Sequence, residues 1–450
     1  LSQKVWIESL GCAKNQVDSE VMLGLLGSAG FSPADAPGRA DLIIVNTCGF
    51  IEAATEESIE VILEMVDVKK DSGPCRGLVV AGCLYQRYGE ELKTEMPEVD
   101  AFVGCAELEN IGRTCLGILG RGKSETGGQG PAAPGDYLYD HETPRILIGG
   151  SASVYVKIAE GCDNRCAYCT IPSLRGNYRS RSIDSVAKET RGLIGRGAKE
   201  INLIAQDTTY FGMPEGGDER LTELLRKLDG IKGKKWLRLM YAHPARITNA
   251  VARAIGDSNS ICHYLDMPIQ HASDPVLKAM GRRGGVSDIH RAIDTLRNEL
   301  PDIAIRTTLL LGFPGETDAN FEELMDFVRE VRFDRLGAFK YSPEAGTVAV
   351  KLKNQVPQEV KEERYDILMG EQASISLELN SAFVGERMEV LVESEDEFDP
   401  GIVIGRTYRD APEVDGHVRI SFEGEPPPLG EFAHVEITGA NEYDLEGKMS

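Results

Sequence analysis

Three cysteines stand close together in the stretch Glu160-Gly-Cys-Asp-Asn-Arg-Cys-Ala-Tyr-Cys169, with a C-x3-C-x2-C spacing. Thiolates are ligands for iron–sulfur clusters and for zinc, and a spacing this tight lets one loop present three sulfurs to one metal centre. A structural zinc site is closed by four ligands, and nothing nearby supplies the fourth, because Cys262 and His243 lie far along the chain. A 4Fe-4S cluster held by Cys162, Cys166 and Cys169 instead keeps one iron open to a ligand that is not protein. A ferredoxin-like electron carrier would place a fourth thiolate there.

A second set of cysteines is dispersed but follows a pattern. Val5 to Leu10 reads as a strand followed by Gly11-Cys12, Leu42 to Asn46 as a strand followed by Thr47-Cys48, and Leu78 to Ala81 as a strand followed by Gly82-Cys83. Helices expected at Val17 to Leu26 and Ile51 to Val66 alternate with these strands, which favours a parallel sheet. The carboxyl ends of such strands share one edge, where ligands bind, so Cys12, Cys48 and Cys83 can converge as a second cluster site. Cys105 also follows a short apolar stretch, Ala101 to Gly104, and spacing alone leaves it a rival. Cys75 in a Ser-Gly-Pro loop and Cys115 in an expected helix read as unliganded.

These residues must be held by larger units. The strand and helix alternation at residues 1–120 forms an N-terminal open parallel α/β domain carrying the second cysteine set. Residues 121–150, rich in Gly, Pro and Ala, read as a flexible linker. From 151 to 375 the alternation resumes, with strands expected at 153–158, 200–205, 236–240, 263–267, 303–309 and 334–340, which is a partial (β/α)6 barrel. The compact cysteine motif follows its first strand, at the end where barrel loops carry chemistry. Residues 376–450 change to short alternating strands with turns at Asp399-Pro-Gly401 and Asp415-Gly416, the pattern of a small five-stranded antiparallel β-barrel of OB-like type. The overall class is α/β.

Composition narrows the setting. The chain has 450 residues, 42% hydrophobic and 27% charged, and ten cysteines. No apolar run approaches the roughly 18 residues of a membrane span, so no membrane association is expected and the expected location is cytoplasmic, where cysteines serve as metal or redox ligands rather than disulfides. Net charge is −23, and residues 371–450 hold 19 Asp and Glu against 5 Lys and Arg. Such acidity repels phosphate backbones and attracts a basic protein; simple solubility is the plainer alternative.

The whole length resembles the methylthiotransferase family of radical S-adenosylmethionine (SAM) enzymes. The likeness rests on the compact motif, on the three dispersed cysteines, and on the small C-terminal barrel, which corresponds to the family's TRAM domain. The match places Cys12, Cys48 and Cys83, ahead of Cys105, as ligands of an auxiliary cluster. Two branches exist, one modifying a tRNA adenosine and one modifying an aspartate of small-subunit ribosomal protein twelve. Ser9-Leu-Gly-Cys-Ala-Lys-Asn15, Thr170-Ile-Pro-Ser-Leu-Arg-Gly176, Gln206-Asp-Thr208 and Tyr408-Arg-Asp-Ala-Pro-Glu-Val-Asp-Gly416 resemble the ribosomal branch. The tRNA branch carries a Gly-Cys-Gln-Met-Asn-like start. The resemblance implies two 4Fe-4S clusters, SAM as both radical source and methyl donor, a low-potential electron donor, and a basic ribosomal protein as substrate, with tRNA disfavoured. The methylthio group would go to the β carbon of the aspartate. No catalytic side chain is expected, because clusters and SAM carry the chemistry. Tyr168 resembles the family's adenine-side contact, with plain aromatic packing as the alternative. Gln206 and Arg306 lie near strand ends and are expected to meet SAM's polar groups. Arg175, Arg179 and Arg181 read as a basic loop, which either meets substrate or ligand carboxylates or is a solvated charged surface, and His271 as a satisfied polar residue.

Overall fold

The computed structural model describes residues 2–71, 73–121, 131–135, 137–213, 217 and 219–449. The N-terminal sheet is built from β1 (Gln3–Ser9), β2 (Phe31–Pro33), β3 (Leu42–Thr47), β4 (Gly77–Gly82) and β5 (Ala101–Val103), in the order β2-β1-β3-β4-β5, with every pair parallel. All residues of β3 and β4 are buried, as expected of central strands covered on both faces. Helix α1 (Ala13–Ser28) starts one residue after Cys12. Helix α2 (Glu52–Lys70) follows β3, and α3 (Cys83–Tyr88) opens on Cys83 itself.

Helix α1 is buried along most of its length because it lies between two units. Its Met22 and Leu26 face the N-terminal sheet. Its Val17 and Val21 join Tyr155, Trp236 and Tyr264 of the central unit, and Leu391 and Ala411 of the C-terminal barrel, in one hydrophobic cluster. Its buried carboxylates are answered across the same interfaces, Asp18 by Lys157 and Arg175 and Glu20 by Arg145, because an enclosed charge left unpaired is costly.

The central sheet comprises β6 (Ser153–Lys157), β9 (Glu200–Ile204), β10 (Trp236–Leu239), β11 (Ile261–Asp266), β12 (Ala304–Leu311) and β13 (Arg335–Lys340), adjacent in that order and all parallel. The six expected strands are therefore present as an open partial barrel. A small antiparallel pair, β7 (Ala159–Glu160) with β8 (Arg179–Ser180), brackets the compact cysteine motif. The helix Gln358–Ser381 then carries the chain to the last unit.

Strands β14 (Arg387–Glu395), β15 (Ile402–Thr407), β16 (Val418–Ser421), β17 (Phe432–Ala440) and β18 (Leu445–Met449) close a barrel in the order β14-β15-β16-β18-β17. The expected all-antiparallel pattern needs one correction: β16 and β18 run parallel, because β17 intervenes in sequence but lies on the other side of β18. The barrel is fixed to the central unit by buried ion pairs. Glu200 takes Arg238 from its own sheet and Arg406 from the barrel, and Arg335 reaches Asp410.

The expected flexible linker is not uniform. Residues 122–130 lie outside the described residues. Further on, Tyr139 is buried, and Arg145 donates to Glu20 of α1 (Nε to Oε2, 2.7 Å), to Glu189 (2.6 Å) and to the Tyr155 carbonyl (2.7 Å). This part is a strap pinned by buried charge.

Candidate iron–sulfur and SAM site

Each dispersed cysteine is placed by the strand before it. Cys12 caps α1, Cys48 follows β3, and Cys83 follows β4, so all three reach the carboxyl edge of the sheet. Gly11 adopts φ +88°, and a Cβ there would stand 2.7 Å from the Cys48 Cβ, so glycine is required for these two loops to approach. Asn15 fixes the same edge by donating to the carbonyls of Leu10 (3.0 Å) and Thr47 (2.9 Å).

The compact motif is stapled by its backbone. Cys162 N–H donates to the Gly176 carbonyl (3.1 Å), Ala167 N–H to that of Met280 (2.7 Å), and Cys169 N–H to that of Cys166 (3.1 Å). Gly161 has φ +82°, and a Cβ there would meet the Asn177 carbonyl oxygen at 2.1 Å.

Both trios open into one cavity of about 430 Å³, lined by Cys12, Cys48, Cys83, Cys162, Cys166 and Cys169. Tyr168 and Gln206 line it too, as the sequence suggests. Gln206 donates to Glu160 (2.7 Å), while its Oε1 is buried with no partner and thus free to accept. Arg306 does not line it: it donates to Asp266 (2.9 Å), to Thr308 (3.2 Å) and to Asp415 (3.1 Å) of the C-terminal unit. His271 is fully buried and only half satisfied, against expectation: its Nδ1 accepts from Ser273 N–H (3.0 Å), while its Nε2 has no hydrogen-bond partner and lies 3.5 Å from Glu316.

Cys105 does not line this cavity. Its thiol is buried 3.8 Å from the Cys83 sulfur and donates to it. Cys115 and Cys262 are buried in hydrophobic clusters, and Cys75 meets the Gly77 carbonyl.

The basic loop is the clearest departure from expectation. Arg175 and Arg181 are buried rather than solvated. Arg175 donates to Asp18 (2.6 Å), to Asn15 Oδ1 (2.7 Å) and to the Cys83 sulfur (3.3 Å). Glu160 and Asp18 both accept from Lys157 (2.5 Å each). Arg181 donates to the Lys157 carbonyl and to Ser185. Of the three arginines, only Arg179 keeps partial exposure, and it donates to the carbonyls of Arg175 and Asn177.

Electrostatics separate the thiols. Burial pushes Cys48 and Cys169 up to about 12 and Cys162 to about 11. The Cys105 hydrogen bond and the Arg175 guanidinium pull Cys83 down to about 6 against its burial. His243, also lining the cavity, is held neutral by burial and by Arg282 and Arg246, its pKa pushed down to about 2. Bound iron converts such thiols to thiolates outright.

The donor set fits the expected groups. Among the described residues no group of three or more His, Cys, Asp or Glu converges as a single ion requires. Six thiols in two trios around one cavity suit clusters, which take thiolates at their corners, and the free Gln206 oxygen suits an amino group.

Matches to known families follow the three units. Residues 4–104 match the uncharacterized protein family UPF0004, residues 156–328 the radical SAM superfamily, and residues 384–449 the TRAM domain. Among solved structures, the radical SAM methyltransferase TsrM from Kitasatospora setae aligns with TM-score 0.57 at 16% identity, over 89% of this chain and 80% of that one. The cobalamin-dependent enzyme OxsB aligns with TM-score 0.54 at 15% identity, over 83% and 56%. These likenesses establish the fold, and with the family match they define a radical SAM enzyme. Curated relatives are far closer in sequence. The ribosomal protein uS12 methylthiotransferase RimO of Heliobacterium modesticaldum is 49% identical over all of this chain and 95% of its own length. Those of Desulforamulus reducens and Clostridioides difficile are each 45% identical, over 98% and 99% of this chain and 98% of their own length. The chain belongs to the family of ribosomal protein uS12 methylthiotransferases RimO.

Proposed function

We propose that this enzyme adds a methylthio group to the β carbon of an aspartate in ribosomal protein uS12, with Cys162, Cys166 and Cys169 holding one 4Fe-4S cluster and Cys12, Cys48 and Cys83 a second. The observation that carries this reading is the single cavity onto which all six thiols open. When bound, SAM at the first cluster supplies the radical that takes a hydrogen from the acceptor, and a second SAM supplies the methyl of the group delivered from the auxiliary cluster.

The chain's own residues do the positioning. Gln206, held by Glu160, offers its free oxygen to a SAM amino group, and Tyr168, set edge-on to Phe313 (centroids 6.4 Å), presents a ring to the adenine side. Arg175 donates to Cys83 and fixes the two trios relative to one another. Neutral His243 adds no charge beside them. The net charge of −23, concentrated in the last 80 residues, favours a basic protein partner over tRNA. A low-potential reductant and a cytoplasmic setting belong to the same proposal; among the described residues, no helix is long and apolar enough to cross a membrane.

The test is transfer of label from methyl-labelled SAM, under reduction, to purified uS12 and to tRNA in parallel. Label in uS12 alone is expected. Label in tRNA alone would overturn the substrate.

A further inference from the structure

Lys14 carries a charge that nothing around it answers. It is the second residue of α1, two positions past Cys12, is 9% exposed, and lines the six-thiol cavity. Its ammonium lies over the Tyr241 ring, 3.1 Å from the centroid. Among the described residues no carboxylate and no hydrogen-bond acceptor meets it. The other charged groups on the cavity wall are occupied. Arg175 is held by Asp18 and Glu160, Arg282 donates to the Pro268 carbonyl, and Asp207 is paired with Arg246 and Asn164.

Burying an ammonium against an aromatic face recovers only part of what it loses on leaving water. The surroundings nevertheless hold it in place. Tyr241 adopts φ +59°, a left-handed conformation rare for a bulky residue, fixed by its N–H donating to Asp266 (3.0 Å) and its carbonyl accepting from Thr208 N–H (3.1 Å). The ring and the helix start thus form a rigid seat that aims one cation into the reaction space.

We propose that Lys14 receives the side-chain carboxylate of the acceptor aspartate, making it the residue that selects an acidic acceptor. This rests on the uS12 reading. A carboxylate is the chemistry that answers a lone buried ammonium, and two are available, that of the acceptor and that of SAM. Lys14 springs from the helix that follows Cys12 and reaches Tyr241 with its ammonium, whereas the polar groups suited to SAM, Gln206 and Tyr168, are both supplied by the central unit and already serve that ligand in the reading above. The acceptor carboxylate is therefore the assigned partner.

The test uses the full-length, cluster-reconstituted enzyme and a fluorescent uS12 peptide containing the acceptor aspartate, read by anisotropy without reductant. A second peptide carries Asn in place of that Asp. Wild-type enzyme is expected to prefer the Asp peptide by roughly tenfold or more, as a hydrogen bond to a charged group implies. Lys14→Met is expected to erase that preference and Lys14→Arg to keep it, with iron content and SAM affinity by equilibrium dialysis the same in all three proteins. If Lys14→Met keeps the wild-type preference for Asp over Asn, the inference is overturned. If Lys14→Met loses SAM affinity instead, Lys14 serves the SAM carboxylate and the inference is likewise overturned. Wild-type enzyme that binds neither peptide would overturn the uS12 reading itself.

Discussion

Arg175 Nη2 lies 3.3 Å from the sulfur of Cys83, a guanidinium from the central unit donating to a thiol of the N-terminal sheet. The same side chain is held by Asp18 and Asn15 of α1, and Glu160 links it onward to Lys157 and Gln206. One buried network therefore runs from the thiol of Cys83 to Gln206 on the wall of the shared cavity.

Removing that arginine has two separable effects. Arg175→Met leaves Asp18 and Glu160 with Lys157 as their remaining buried cation, a loss of about 3–5 kcal/mol as for other broken buried pairs. It also removes a hydrogen bond and a positive charge from the sulfur of Cys83, which would lower the reduction potential of the cluster proposed there. In a Cys162, Cys166 and Cys169 triple-Ala background, EPR-monitored redox titration of the N-terminal cluster is expected to give a more negative midpoint for Arg175→Met than for Arg175→Lys.

Cys105 is the neighbour most easily mistaken for a ligand. Because its thiol donates to Cys83 and stands off the cavity wall, Cys105→Ala is expected to keep the N-terminal cluster and Cys83→Ala to lose it. Visible absorption and iron content of the reconstituted variants, again in the triple-Ala background, check this. The reverse result would exchange the two roles.

Gly11→Ala is a backbone test of the same site. Its new methyl would strike the Cys48 Cβ, and its φ of +88° strains any side chain. The variant is expected to reconstitute one cluster, that of the compact motif, and to fail at the other.

The docking of the C-terminal barrel has a pH signature. Glu200, fully buried, has its carboxyl lowered from 4.5 to about 2 by Arg406 and Arg238 against the penalty of burial. A lowered folded-state pKa means that the stabilisation is complete above the unfolded value near 4.5 and is lost as pH falls toward 2. The shift corresponds to about 3 kcal/mol. Thermal unfolding is expected to show Glu200→Gln less stable than wild type at pH 7, with the gap narrowing on acidification below pH 4.5.

The closeness of Cys162, Cys166 and Cys169 was legible because they share one loop, and the convergence of Cys12, Cys48 and Cys83 because each follows a strand of a parallel sheet; Cys105 follows one too, and only the family likeness set it apart. The fates of Arg175 and Arg181 were not, since Asp18, which answers Arg175, lies 157 residues away and burial by a distant element leaves no local trace. The engagement of Arg306 was hidden for the same reason, its partner Asp415 coming from another unit. Lys14 and Asn15 stood in a motif noted for family likeness, and nothing local distinguished a cation aimed at a cavity from one on a surface. The parallel pair β16 and β18 was hidden because strand alternation within 376–450 says nothing of which strands become neighbours when the barrel closes.

Every role proposed for these residues requires two clusters facing one cavity. Iron and sulfide analysis of anaerobically reconstituted protein, with Mössbauer spectra, tests it in three proteins: wild type, the Cys162, Cys166 and Cys169 triple-Ala variant, and the Cys12, Cys48 and Cys83 triple-Ala variant. About eight irons per wild-type chain and about four in each variant are expected from two four-iron clusters. About four irons in well-folded wild type, or a full complement in either variant, would contradict it.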